Sequence, residues 1–144
     1  MLLMIRTASA VWHGDLKSGN GTVSSASGVL HETAYSFHTR FEDGAGTNPE
    51  ELIAAAHAGC FSMATSGALG RAGLTADTLA TAATLTFEPV DGAPTVTKIH
   101  LALTGKVPGA TAEQFAEIAA DAKKNCPISR LLKCEITLET TLEA

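Results

Sequence analysis

The stretch Thr47–Ser66, TNPEELIAAAHAGCFSMATS, constrains this chain more than any other, because a strong helix start runs into an almost wholly apolar sequence that carries a cysteine. Asn48 suits the N-cap, Pro49 the first helical position and Glu51 the third residue after the cap, a close relative of the capping box. Two neighbouring stripes follow, one of Leu52, Ala56, Gly59, Met63 and Gly67 and one of Ile53, His57, Cys60, Ala64 and Arg71. Both are mostly apolar or small, so the helix must be covered on several sides. With Gly73 as its stop it runs for roughly 24 residues, or about 36 Å at the α-helical rise. A chain of 144 residues holds one sizeable core and not comfortably two, so residues 1–144 are expected to form a single domain. Such a chain would struggle to cover this helix alone. The expectation is a homodimer in which two central helices pack through their small residues; the alternative is cover by the C-terminal helices of the same chain.

Elsewhere the pattern is mostly that of strands. Ala8–Trp12 and Gly21–Ser25 read as short strands, and Tyr35–Phe41 alternates, with Tyr35, Phe37, Thr39 and Phe41 on one face and Ser36, His38 and Arg40 on the other. After the helix, Thr81–Glu88 and Thr97–Val107 alternate about a turn marked by Asp91, Gly92 and Pro94. Thr111 and Gln114 then cap an amphipathic helix with a stripe of Phe115, Ile118, Ala119 and Ala122 that ends near Lys124. Pro127 opens a short second helix, and Cys134–Leu142 is a last strand. Strands joined by short turns imply largely antiparallel pairing, and the predicted class is α+β, a sheet wrapped around the long helix.

Composition narrows the function. A net charge of −5 without a basic stripe argues against nucleic acid. The opening MLLMI lacks the basic region and cleavage site of a signal peptide, and polar residues interrupt every long apolar window, so neither secretion nor a membrane span is expected. A cytoplasmic location follows, where three cysteines act as buried hydrophobes, metal ligands or redox groups rather than as a disulfide framework.

Cys60 lies far from its helix N-terminus, so a nucleophilic role there requires a cation from elsewhere, and Arg40 is the candidate. Cys126 stands beside a predicted helix start with Lys123 and Lys124 before it, and local physics alone makes it the better activated thiol. Cys134 opens the inward face of the last strand and reads as core. Metal binding competes: His57 and Cys60 are three apart and Cys126 could add a third ligand, but no second ligand pair completes a structural zinc site. No Gly-x-Ser-x-Gly elbow supports a serine hydrolase.

TNPEELIAAAHAGCFSM, Thr47–Met63, and KKNCPISRLLK, Lys123–Lys133, resemble the osmotically inducible protein C and organic hydroperoxide resistance family of thiol peroxidases. VWHGDLKSGNGTVSSASGVL and YSFHTRFEDGAGTNPEEL extend the resemblance over nearly the whole chain, toward the osmotically inducible protein C branch. The resemblance implies an intertwined homodimer with active sites at the subunit interface, no metal or prosthetic group, and reduction of organic hydroperoxides to alcohols. It maps the peroxidatic cysteine onto Cys60, the resolving cysteine onto Cys126, the arginine onto Arg40 and the carboxylate onto Glu50, with an external dithiol, such as a lipoylated protein, as reductant. Cys134 departs from the usual pattern. A non-catalytic small-molecule or metal-binding module of the same family is the alternative. Glu50 and Cys60, ten residues apart on one helix, are separated by about 15 Å of axial rise. If Glu50 orients Arg40 beside Cys60, at least one of the two is expected in trans.

Overall fold

A computed structural model of the chain describes residues 3–144, so Met1 and Leu2 of the MLLMI run lie outside the described residues. The chain divides into two compact units, Met1–Leu52 and Ile53–Ala144. In the first, β1 (Ala8–His13), β2 (Asn20–Ser25) and β3 (Thr33–Tyr35) form an antiparallel three-stranded sheet in that order. Trp12 and Tyr35 stack on it with ring centroids 5.4 Å apart.

The third strand is shorter than the alternation predicts. It stops at Tyr35, and Phe37–Phe41 forms a short helix, α1. Ser36 Oγ accepts from the Thr39 N–H at 3.4 Å, and Thr39 Oγ1 accepts from the Ser36 N–H at 2.8 Å, a reciprocal cap. A period of two also contains an i,i+4 pair, and here that pair wins, with the Phe37 and Phe41 rings 4.8 Å apart on one helical turn.

The long helix α2 (Pro49–Arg71) starts where the sequence places it and is unbroken. Asn48 Oδ1 accepts the Glu51 N–H at 2.7 Å, while its Nδ2 donates to the Thr39 carbonyl at 2.8 Å and ties the end of α1 to the start of α2. The far end closes with Gly73 at φ 79°, the Gly73 N–H on the Gly70 carbonyl and the Leu74 N–H on the Leu69 carbonyl. These are the two bonds by which a left-handed glycine satisfies the last free carbonyls of a helix.

The second unit builds its sheet from β4 (Thr78–Val90), β5 (Ala93–Lys106) and β6 (Glu135–Leu142), in the order β4-β5-β6. β4 and β5 pair antiparallel about an Asp91-Gly92 turn. β6 departs from the antiparallel expectation and runs parallel to β5. The connection accounts for this: α3 (Ala112–Asn125) and α4 (Pro127–Leu131) intervene, and a helical crossover returns the chain in the same direction where a tight turn would reverse it.

The core of this unit draws on every layer: Phe61 and Leu69 from α2, Ile99, Leu101 and Leu103 from β5, Phe115, Ala119 and Ala122 from α3, with Cys126. Two of its buried polar side chains are hydrogen-bonded, one within α2 and one to α4. Thr65 Oγ1 donates to the Phe61 carbonyl at 2.9 Å, and His57 Nε2 lies 2.8 Å from Ser129 Oγ. By length and composition α2 could cross a membrane although His57, Ser62 and Thr65 interrupt its apolar run; only 28% of its most apolar window is buried. Ala55, Ala56, Gly59, Met63, Ser66, Gly67 and Gly70 face outward in this protomer.

Two outcomes follow from this packing. A methyl group on Gly105 of β5 would intrude on the fully buried Phe115 ring and approach Leu79 at 3.1 Å, so Gly105→Ala should destabilise by about 1–3 kcal/mol, seen as a lower denaturation midpoint. Burial lowers the His57 pKa below its ordinary 6.5, so the unfolded chain binds a proton that the folded one refuses. The stability His57 supports is therefore complete above pH 6.5 and lost as pH falls from there toward the folded value. Urea titrations at fixed protein concentration should show a flatter decline across this window in His57→Gln than in the wild type.

Candidate active site

Two sulfur atoms meet in the second unit. Cys60, on α2, presents Sγ 2.9 Å from Sγ of Cys126, and both are free thiols. Pro127 explains why Cys126 stands there. A residue before proline is driven out of helical geometry, so Cys126, at φ −56° and ψ 124°, ends α3 and begins α4 at once. Its N–H still reaches the Ala122 carbonyl at 2.9 Å, and its carbonyl accepts the Arg130 N–H at 3.0 Å. Backbone bonds on both sides thus hold a fully buried thiol at the corner between two helices.

Local physics favours Cys126 as the activated thiol, but its neighbours are directed elsewhere. Lys123 Nζ donates to the Ile136 carbonyl at 3.1 Å. The backbone amide of Ile128, in the first turn of α4, favours the Cys60 thiolate. Against that amide stand burial and the adjacent Cys126 thiol, which together push the Cys60 pKa up. Cys60 is half-buried, and its accessible side opens on an apolar groove of about 660 Å³ lined by Ala56, Met63, Ala64, Gly67, Pro127 and Ile128 among others. Cys134 sits one residue before β6 and packs against the core as expected.

Arg40 and Glu50 meet in the first unit. The Arg40 guanidinium clasps the Glu50 carboxylate through Nε at 3.0 Å and Nη2 at 2.8 Å to Oε1, with Nε also 3.3 Å from Oε2. Glu50 is nearly buried while Arg40 keeps 39% of its side chain exposed, and the clasp of Nε and Nη2 fixes the orientation of the pair. The pairing depends on α1, since Arg40 occupies its last turn and the Asn48 bridge fixes that turn against the start of α2. The Phe41 ring lies 5.4 Å from the Arg40 guanidinium carbon. Trp12, Leu16, Tyr35, Phe37 and Phe41 join Arg40 around a cavity of about 230 Å³. The aromatic alternation of Tyr35–Phe41 was the visible trace of this cavity, though it suggests a strand.

The structure therefore brings together Cys60 with Cys126, and Arg40 with Glu50 of the same chain. It adds His57 and Ser129, which sequence reasoning weighed only as a possible ligand and not at all. Among the described residues no group of three or more His, Cys, Asp or Glu is arranged to hold a metal.

Known proteins resemble this chain in sequence and in fold. A family model described as OsmC-like protein matches residues 42–141. The chain is 50% identical over 139 residues to the protein named peroxiredoxin OsmC of Escherichia coli K12, covering 96% of this chain and 97% of that one, and equally to its namesake in Shigella flexneri. Among solved structures, an OsmC-like protein of unknown function from Vibrio cholerae superposes with a TM-score of 0.77 at 18% identity, covering 96% of this chain and 99% of that one. The organic hydroperoxide resistance protein OhrB of Bacillus subtilis gives 0.64 at 23% identity, covering 95% and 98%. With a family model spanning most of its length and half its residues shared with full-length relatives, this chain belongs to the OsmC-like family.

Proposed function

We propose that this chain is a thiol-based peroxidase that reduces organic hydroperoxides to alcohols, with Cys60 as the peroxidatic and Cys126 as the resolving cysteine. The observation that carries the reading is the pair of free thiols 2.9 Å apart, with Cys60 lining an apolar groove and Cys126 buried behind it; the peroxiredoxin name of relatives at 50% identity supports it. The Cys60 thiolate attacks the distal oxygen of the hydroperoxide, the O–O bond breaks, and an alkoxide leaves and takes a proton as the alcohol. Cys60 is then a sulfenic acid. The Cys126 sulfur displaces its hydroxyl as water and forms a Cys60–Cys126 disulfide, which shields Cys60 from further oxidation. An external dithiol returns both thiols by exchange. The apolar groove favours an organic chain over hydrogen peroxide, and the cytoplasm, which keeps all three cysteines reduced between turnovers, is the fitting compartment.

Because burial raises the Cys60 pKa, a cation must offset it, and Arg40, oriented by Glu50, is that cation. α2 is continuous from Pro49 to Arg71, so Glu50 stays about 15 Å along the axis from Cys60 of its own chain. The Arg40–Glu50 pair, intact within one chain, therefore serves Cys60 of a second copy. A homodimer in which a second copy lies over the outward face of α2 covers that face and completes the site, with the groove beside Cys60 left at the interface. Residues 1–144 then act as one catalytic domain per subunit.

Reduced protein mixed with cumene hydroperoxide and a dithiol should consume peroxide, and oxidation without the dithiol should lower the intact mass by two hydrogens. Cys126→Ser should gain an oxygen instead and over-oxidise with excess peroxide; Cys60→Ser should consume none. Full activity in Cys60→Ser would end this reading. For the trans arrangement, Cys60→Ser and Glu50→Ala proteins, each inactive or weak, should regain activity after subunit exchange through one complete site per dimer. No recovery, with exchange verified by mass, would place each site within a single chain.

A further inference from the structure

His57 is fully buried, and its Nδ1 has no hydrogen-bond partner. A buried polar atom left unpaired is costly, and an apolar side chain of similar size would avoid that cost. The other ring nitrogen explains the imidazole. Nε2 lies 2.8 Å from Ser129 Oγ, so the ring is held by one hydrogen bond, between Nε2 and the serine hydroxyl.

The placement of this bond gives it a function. His57 is three residues before Cys60 on α2, and Ser129 three residues after Cys126 on α4, so each polar group sits about one helical turn from its sulfur. Two contacts thus join the same pair of elements, the sulfur contact at 2.9 Å and the His57–Ser129 bond at 2.8 Å. Only the second survives the reaction. When Cys60 gains an oxygen, the sulfur contact must open to admit it, and at that moment nothing between the thiols holds Cys126 in line.

We infer that the His57–Ser129 hydrogen bond is the frame that keeps Cys126 positioned on Cys60 while Cys60 is oxidised, making both residues positioning residues for the resolving step. The inference rests on the roles proposed for the two cysteines. Ser129→Ala removes the hydroxyl with little change in volume, and His57→Gln keeps a side-chain amide that can bond the hydroxyl at the place of Nε2.

The test is equilibrium with glutathione, in which the two thiols and one oxidised glutathione give the Cys60–Cys126 disulfide and two reduced glutathiones. The equilibrium constant reports how well the fold presents one thiol to the other, without any peroxide. Without the frame the reduced thiols are less well aligned and forming the disulfide must order them, which should lower the constant roughly 3- to 10-fold in Ser129→Ala, while His57→Gln stays near the wild type. With excess cumene hydroperoxide, Ser129→Ala should accumulate Cys60 sulfinic acid at lower peroxide concentrations than the wild type. An unchanged constant and unchanged over-oxidation in Ser129→Ala would overturn the inference while leaving the peroxidase reading intact. Failure of the wild type to form a Cys60–Cys126 disulfide at all would overturn both.

Discussion

A 23-residue helix made largely of alanine, glycine and apolar side chains cannot stand in water with all its faces bare, and the rest of this protein answers that constraint. The second unit covers one face, where His57, Phe61, Thr65, Ala68 and Leu69 enter the core of sheet and α3. The opposite face of small residues stays open in the protomer. Cys60 lies on the border between them, half-buried, with the core behind it and an apolar groove in front. The same geometry that makes its sulfur reachable by an apolar peroxide also desolvates it.

Desolvation sets the electrostatic problem. Burial and a second thiol raise the Cys60 pKa, and the single Ile128 amide opposes them only in part. In the proposed mechanism Arg40 offsets the difference, and the carboxylate that clasps it has a clear purpose: a free guanidinium explores many directions, whereas one gripped at Nε and Nη2 points in one. The grip relies on α1, five residues long, capped at one end by Ser36 and Thr39 and bridged at the other by Asn48.

Backbone chemistry creates the corner at which the Cys126 thiol stands. Pro127 forbids α3 from continuing, Cys126 becomes the corner, and α4 restarts at once. Because α4 then carries Ser129 to His57, the corner is fastened to α2 at two points, one reactive and one not.

Local signals in the sequence determined the start of α2 at Asn48-Pro49, its stop at Gly73, the turn at Asp91-Gly92, the capped α3 and the Cys-Pro corner, since each depends on residues a few positions apart. Local context put forward Cys60, Cys126 and Arg40 as candidates, and family resemblance added Glu50. Tertiary structure decided what depends on residues distant in sequence. Tyr35–Phe41 satisfies strand and helix periods alike, and a reciprocal cap with the Asn48 bridge selected the helix. The parallel pairing of β6 follows from the direction in which α3 and α4 return the chain. His57 found Ser129 across 72 residues, because packing and not spacing chooses the partners of buried polar groups.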